Sequence, residues 1–128
     1  MSILDEYNRS ALHYVCIDVA QEDRIEAVKT LLAKGLDVNA QDSNGWSPLH
    51  FAAQEGDAEV TLVLINAGAK IGIRDANGNT VLWVATMNAQ SQSEVIKILL
   101  QSGANPSEKN NHDVAPKDIE PEFFKNAT

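Results

Sequence analysis

The sequence predicts an all-α solenoid: about three helix-loop-helix repeats with hairpin turns, plus a C-terminal capping half-repeat. Three observations predict it. The segment Ser47-Pro48-Leu49-His50-Phe51-Ala52-Ala53 is echoed by Ser10-Ala11-Leu12-His13-Tyr14-Val15-Cys16 and by Thr80-Val81-Leu82-Trp83-Val84-Ala85-Thr86, with a truncated copy at Ala115-Pro116-Lys117-Asp118-Ile119. These starts lie 37, 33 and 35 residues apart. A second landmark follows each full copy: Leu31-Leu32-Ala33-Lys34-Gly35, Leu64-Ile65-Asn66-Ala67-Gly68 and Leu99-Leu100-Gln101-Ser102-Gly103. Self-similarity at such a period is the mark of a stacked repeat array, in which no unit buries its apolar face alone.

Each element has a local reason. Ser47 is a good helix N-cap, and Pro48 fits the first helical position, where its missing N–H costs nothing. The run from Glu94 to Leu100 places apolar residues at helical spacing, as a second helix requires. Gly35, Gly68 and Gly103 sit just past the second helices, where a left-handed cap is needed. Asn44-Gly45 and Asn77-Gly78 read as tight turns between units.

These residues resemble the ankyrin repeat, whose period is roughly 33 residues and whose signature is T-P-L-H-x-A. The middle copy, Asn44 to Asp57, is the closest, and the resemblance runs from Asp5 to Ile119. It divides the single domain (1–128) into repeats at about 5–41, 42–74 and 75–109, with a cap at about 110–128. The first copy carries extra residues around Ile17 to Asp23 and the third around Asn88 to Ser93, both expected in loops between helices. Lys117 and Asp118 replace the core Leu and His, as suits a terminal unit with a polar outer side. Pro121-Glu122-Phe123-Phe124 is expected to fold back over that end, the alternative being an exposed ligand segment.

Composition narrows the function. The 128 residues carry 10 Lys+Arg against 18 Asp+Glu, a net charge of -8. Nucleic-acid binding draws on Lys and Arg, so this balance disfavours it. The excess is concentrated in residues 1–59, with 11 acids and 4 bases. Asp18, Glu22, Asp23 and Glu26 form an acidic stretch, read either as a partner-facing patch or as a solvated loop. The single cysteine, Cys16, excludes an internal disulfide and reads as a small packing residue. No apolar run approaches a membrane span and no leader pattern opens the chain, so a cytoplasmic protein without membrane contact is expected.

Little catalytic chemistry is available. His13 and His50 occupy one signature position, with Trp83 third, and read as structural groups tying neighbouring loops. No phosphate loop, catalytic triad or metal-binding spacing is present, so neither enzyme activity, a cofactor nor a metal is expected.

What the resemblance implies is protein binding through a concave face of hairpin tips and exposed first-helix positions. Carried onto this chain, the partner-binding candidates are Tyr7, Arg9, Asp18, Asn44, Trp46, Gln54, Glu55, Arg74, Asn77, Asn79, Met87 and His112. Tyr7 and Trp46 are the aromatic anchors, since interface energy concentrates in Trp, Tyr and Arg; the alternative for Trp46 is structural packing on the next hairpin. Met87 is a contact residue if exposed and core filler if not. Two roles compete. The Gly78–Ala85 and Lys109–Pro116 segments resemble those of short bacterial ankyrin proteins that include toxin-immunity proteins. That likeness implies a monomeric, stoichiometric inhibitor masking a basic toxin or enzyme with an acidic concave face. The other role is an adaptor that binds cellular proteins without inhibiting them.

Overall fold

The computed structural model describes residues 9–18, 21–88 and 93–124; the side chains of residues 17, 18, 21, 22 and 123 are outside that description. Among the described residues seven helices follow one another: α1 (Ala11–Asp18), α2 (Gln21–Ala33), α3 (Pro48–Glu55), α4 (Ala58–Asn66), α5 (Val81–Asn88), α6 (Glu94–Gln101) and α7 (Pro116–Ile119), then a 3₁₀ turn at Pro121–Phe124. They form two layers. The inner layer stacks α1, α3, α5 and α7 in order, the outer layer stacks α2, α4 and α6, and each outer helix packs on the inner helix before it. Among the described residues no helix is long and apolar enough to cross a membrane.

The signature residues set the helix starts. Ser47 caps α3 with Pro48 in the first turn. Asp57 caps α4, its Oδ1 accepting from the Val60 N–H at 3.0 Å, and Ser93 caps α6 through the Ile96 N–H at 3.2 Å. Such a cap is worth ~1 kcal/mol. The repeated leucines Leu12, Leu49 and Leu82 are fully buried between the layers, with Val28, Leu64 and Leu99 from the outer helices. Each contributes about 2 kcal/mol by leaving water. Where the third signature ends in Thr86 and the first in Cys16, the polar group is satisfied inside its own helix: Thr86 Oγ1 donates to the Leu82 carbonyl at 2.7 Å, Cys16 Sγ to that of Leu12 at 3.3 Å. Burial pushes the Cys16 thiol up to about 12, so it is inert packing.

One expectation changes, and the extra residues of the third copy, around Asn88 to Ser93, fall largely outside the described residues. The extra residues of the first copy lengthen a helix rather than a loop. Residues 21–23 form the first turn of α2, which runs for 13 residues against 9 in α4 and 8 in α6. Asp23 suits that place, because a carboxylate in the first turn meets the positive end of the helix dipole. Trp83 is half-buried, with its indole Nε1 enclosed. The tail follows its expected course: Phe124 is buried in the common core. In the cap, Lys117 and Asp118 are exposed, and the Asp118 Oδ2 accepts the Ala115 N–H at 2.9 Å.

Candidate functional site

Each hairpin is built on one buried Asx side chain. Asp42 Oδ1 accepts the N–H groups of Asn44 and Trp46, each at 2.9 Å. Asp75 does the same for Asn77 and Asn79, and Asn110 for His112 and Val114. A backbone pair closes each loop, as from the Asp42 N–H to the Trp46 carbonyl at 2.9 Å. The turn ends on a left-handed residue: Gly45 at φ 78°, Gly78 at φ 78° and Asp113 at φ 67°. At Gly45 a side chain has no room, because a Cβ would lie 2.6 Å from the backbone nitrogen of Ala76.

Adjacent hairpins are then stitched together by a single repeat position. Arg9, Trp46 and Asn79 are equivalent residues, and each meets the Asx side chain of the following unit. Arg9 Nε donates to Asp42 Oδ2 at 3.1 Å, Trp46 Nε1 donates to Asp75 Oδ2 at 2.9 Å, and Asn79 Oδ1 accepts from Asn110 Nδ2 at 2.8 Å. All three were expected as partner contacts. In the structure the polar groups of all three bond the neighbouring repeat, which for Trp46 matches the alternative of structural packing on the next hairpin. Asn79 is only 8% exposed. Trp46 is half-buried, stacked on His50 at 5.6 Å and edge-on to Phe51 at 5.0 Å. The Arg9 guanidinium lies over the Phe51 and Tyr14 rings at 5.1 and 5.7 Å.

The paired histidines add a second stitch. Nδ1 of His50 accepts from the Ser47 N–H at 3.1 Å, which leaves Nε2 as the protonated nitrogen facing the Asn79 carbonyl at 3.1 Å. His13 repeats this with the Ser10 N–H at 3.0 Å and the Trp46 carbonyl at 2.9 Å. Burial holds both imidazoles below their ordinary pKa, against the opposing pull of those carbonyls and of Asp42 and Asp75. They are structural, as expected, and their neutral form is the folded form.

The exposed side chains not used between repeats lie in the last turns of α3 and α5 and at the hairpin tips, the Asn88 Nδ2 donating to the Val84 carbonyl at 2.9 Å. Gln54, Glu55, Met87 and Asn88 are exposed there, next to the exposed tips Asn44 and Asn77. Met87 is 54% exposed, which settles its alternatives in favour of a surface residue. An open cleft of about 280 Å³ runs between Arg9, Asp42, Asn44, Trp46, Phe51 and Gln54. It gathers four expected residues, Arg9, Asn44, Trp46 and Gln54, in one place. Arg74 is exposed one hairpin further on and paired with Glu108 at 3.0 Å. His112 is exposed at the cap hairpin. Tyr7 and the Asp18 side chain lie outside the described residues.

The strip formed by Asn44, Gln54, Glu55, Asn77, Met87 and Asn88 carries one charge, on Glu55. Glu6 and the Asp18 side chain, the first copy's acidic candidates for the concave face, lie outside the described residues. Asp42, Asp57 and Asp75 are buried in turns and caps, Asp42 and Asp57 pairing with Arg9 and Arg24. Asp23, Glu26 and Glu59 sit on the outer layer. Sequence reasoning missed the roles of Asp42, Asp75 and Asn110. The available signal was an Asx residue four positions before Trp46, Asn79 and Val114 in successive units. Among the described residues no group of three or more His, Cys, Asp or Glu could hold a metal ion.

Comparison with known proteins agrees with this architecture. The family model described as ankyrin repeats (3 copies) matches residues 12–110. The chain is similar to the human transient receptor potential cation channel subfamily A member 1, at 32% identity over 108 residues, 84% of this chain and 9% of that protein. It is also similar to potassium channel AKT1 of Arabidopsis thaliana, at 48% over 52 residues, 40% of this chain and 6% of that protein. A third similarity is to protein VAPYRIN-LIKE of Medicago truncatula, at 42% over 40 residues, 31% of this chain and 9% of that protein. The chain thus spans less than a tenth of each of these relatives.

Proposed function

The chain belongs to the ankyrin-repeat family, a class of protein–protein interaction modules, and from that premise we propose that it binds a protein partner across the strip from Asn44 and Gln54 to Asn77, Met87 and Asn88. The observation that carries this reading is the division of labour within the face. Arg9, Trp46 and Asn79 are occupied in holding the repeats together, whereas the strip presents amides and one large apolar side chain to solvent. Exposed amides supply adaptable hydrogen bonds, and Met supplies a deformable apolar contact.

The strip's near-neutrality favours an adaptor over an inhibitor that masks a basic active site of a toxin or enzyme. Charge masking works by opposing potentials across the interface, and among the described residues of the strip Glu55 alone supplies negative charge. The discriminating experiment is capture from native cells by the tagged protein, followed by a high-salt wash and weighing of the retained complex. An adaptor exchanges partners at about micromolar affinity, so its partners wash away; an inhibitor of a lethal enzyme holds one partner at 1:1 with roughly sub-nanomolar affinity. A single retained partner that is toxic when expressed alone establishes the inhibitor reading instead.

A further inference from the structure

We infer that Asn77 is the first site of spontaneous deamidation in the folded protein, ahead of Asn44, and that opening of the C-terminal cap sets its rate. Both residues precede glycine, which places no side chain in the way of its own backbone nitrogen. Both are exposed at hairpin tips.

The reaction needs only water and solvent base. The Gly78 nitrogen, losing its proton, attacks Cγ of Asn77 and forms a new ring bond from that nitrogen to Cγ; the bond between Cγ and Nδ2 of Asn77 breaks and ammonia leaves. Water then opens the succinimide at either carbonyl, giving aspartate or isoaspartate. The net change is an amide plus water converted to a carboxylate plus ammonium.

The fold restrains this chemistry at both tips in the same manner. The attacking nitrogen is engaged: the Gly45 N–H donates to the Asp42 carbonyl and the Gly78 N–H to that of Asp75, each at 2.9 Å. Each asparagine carbonyl accepts from the next hairpin as well, Asn44 from the Ala76 N–H and Asn77 from the Asn111 N–H, again at 2.9 Å. Ring closure therefore waits on local opening of the following unit.

The following units differ. Asn44 is covered by the second hairpin, which is anchored by Trp46 Nε1 on Asp75 and by His50 on the Asn79 carbonyl. Asn77 is covered by the cap hairpin, which is held by Asn110 Nδ2 on Asn79 Oδ1 at 2.8 Å and by Asn111 Nδ2 on the Ala76 carbonyl at 3.2 Å. There Asp113 stands in the left-handed region where the other hairpins have glycine. Trp83 replaces the bridging histidine, and its buried Nε1 has no hydrogen-bond partner among the described residues. α7 is four residues long and starts on Ala115, which offers no side-chain cap. Three independent defects fall at one junction, so the cover over Asn77 lifts more often. The product places an extra carboxylate, or a lengthened backbone, on the exposed strip; the order of reaction stands whether or not that strip binds a partner.

The test is a time course of the folded protein at mildly alkaline pH, read by peptide mass mapping with isoaspartate detection. The peptide containing Asn77 should convert at least several-fold faster than that containing Asn44, and the two rates should converge in denaturant. Asp113→Gly and Ala115→Ser, which mend the cap, should each slow Asn77 and leave Asn44 unchanged. Equal rates in the folded protein, a faster Asn44, or no response to either substitution overturns the inference.

Discussion

His50 reaches across a repeat junction to the carbonyl of Asn79, with its Nε2 3.1 Å from that oxygen, while its Nδ1 secures the start of its own helix through the Ser47 N–H. One side chain thus joins secondary structure to tertiary stacking. The same geometry at His13 makes the first two junctions alike, and its absence at Trp83 makes the third different.

Because both Nδ1 atoms accept hydrogen bonds, protonation removes two backbone-capping contacts at once. The folded pKa lies below the ordinary 6.5 for His13 and His50. Between the folded and unfolded values the unfolded state binds more protons, so stability rises with pH there. The histidine contribution is fully present above about 6.5 and is lost as pH falls through that value toward the folded pKa. Urea unfolding from pH 8 to pH 5 should show this decline, and a His13→Gln/His50→Gln double variant should lose the component of the slope that sets in below about 6.5. An unaltered slope would assign the pH dependence to the carboxylates.

Asp42 separates two roles of a buried carboxylate. As a turn former it needs only one acceptor oxygen, which Asn110 provides in the cap; as a charge it holds Arg9. Asp42→Asn should therefore cost about 1 kcal/mol, and Asp42→Ala, which strips Asn44 and Trp46 of their acceptor, about 3 kcal/mol. Denaturation midpoints compare the two directly, and equal costs would mean that the turn does not depend on the Asx acceptor.

Two left-handed glycines carry different consequences. At Gly56 nothing lies within 4 Å of an added Cβ, so Gly56→Ala should cost only the backbone term of about 1 kcal/mol. Gly45→Ala adds a collision with the Ala76 backbone at 2.6 Å and should cost at least about 3 kcal/mol, because the second hairpin must move away. Thermal melts of the two variants should differ by several degrees, with Gly45→Ala the lower. Indistinguishable melts would show that the hairpins are free to separate.

The repeat plan was legible in the sequence because stacking demands periodicity, and a period survives substitutions such as Ser10-Ala11 or Thr80-Val81 for Ser47-Pro48. The face was harder to read. Arg9, Trp46 and Asn79 look like contact residues by type, since nothing in a linear sequence shows that each reaches the Asx residue of the next unit. The acidic count does not by itself locate charge: Asp42, Asp57 and Asp75 lie inside turns and caps. Met87 and Leu62, at 54% and 45% exposed, are large apolar side chains that only their positions on the helices reveal as surface.

The central claim, that the strip through Gln54 and Met87 binds the partner, is tested most directly by the affinity of the captured partner for two variants measured side by side by calorimetry. Met87→Arg with Gln54→Arg alters the inner-helix strip, and Leu62→Arg alters the other large apolar side chain exposed among the described residues, on outer helix α4. The account predicts that the double variant binds about 30-fold or more weaker, as loss of a hot spot does, with its melting temperature unchanged, while Leu62→Arg binds as the parent protein does. Parent-like affinity in the double variant, with binding lost in Leu62→Arg, would contradict it and move the interface to the outer layer.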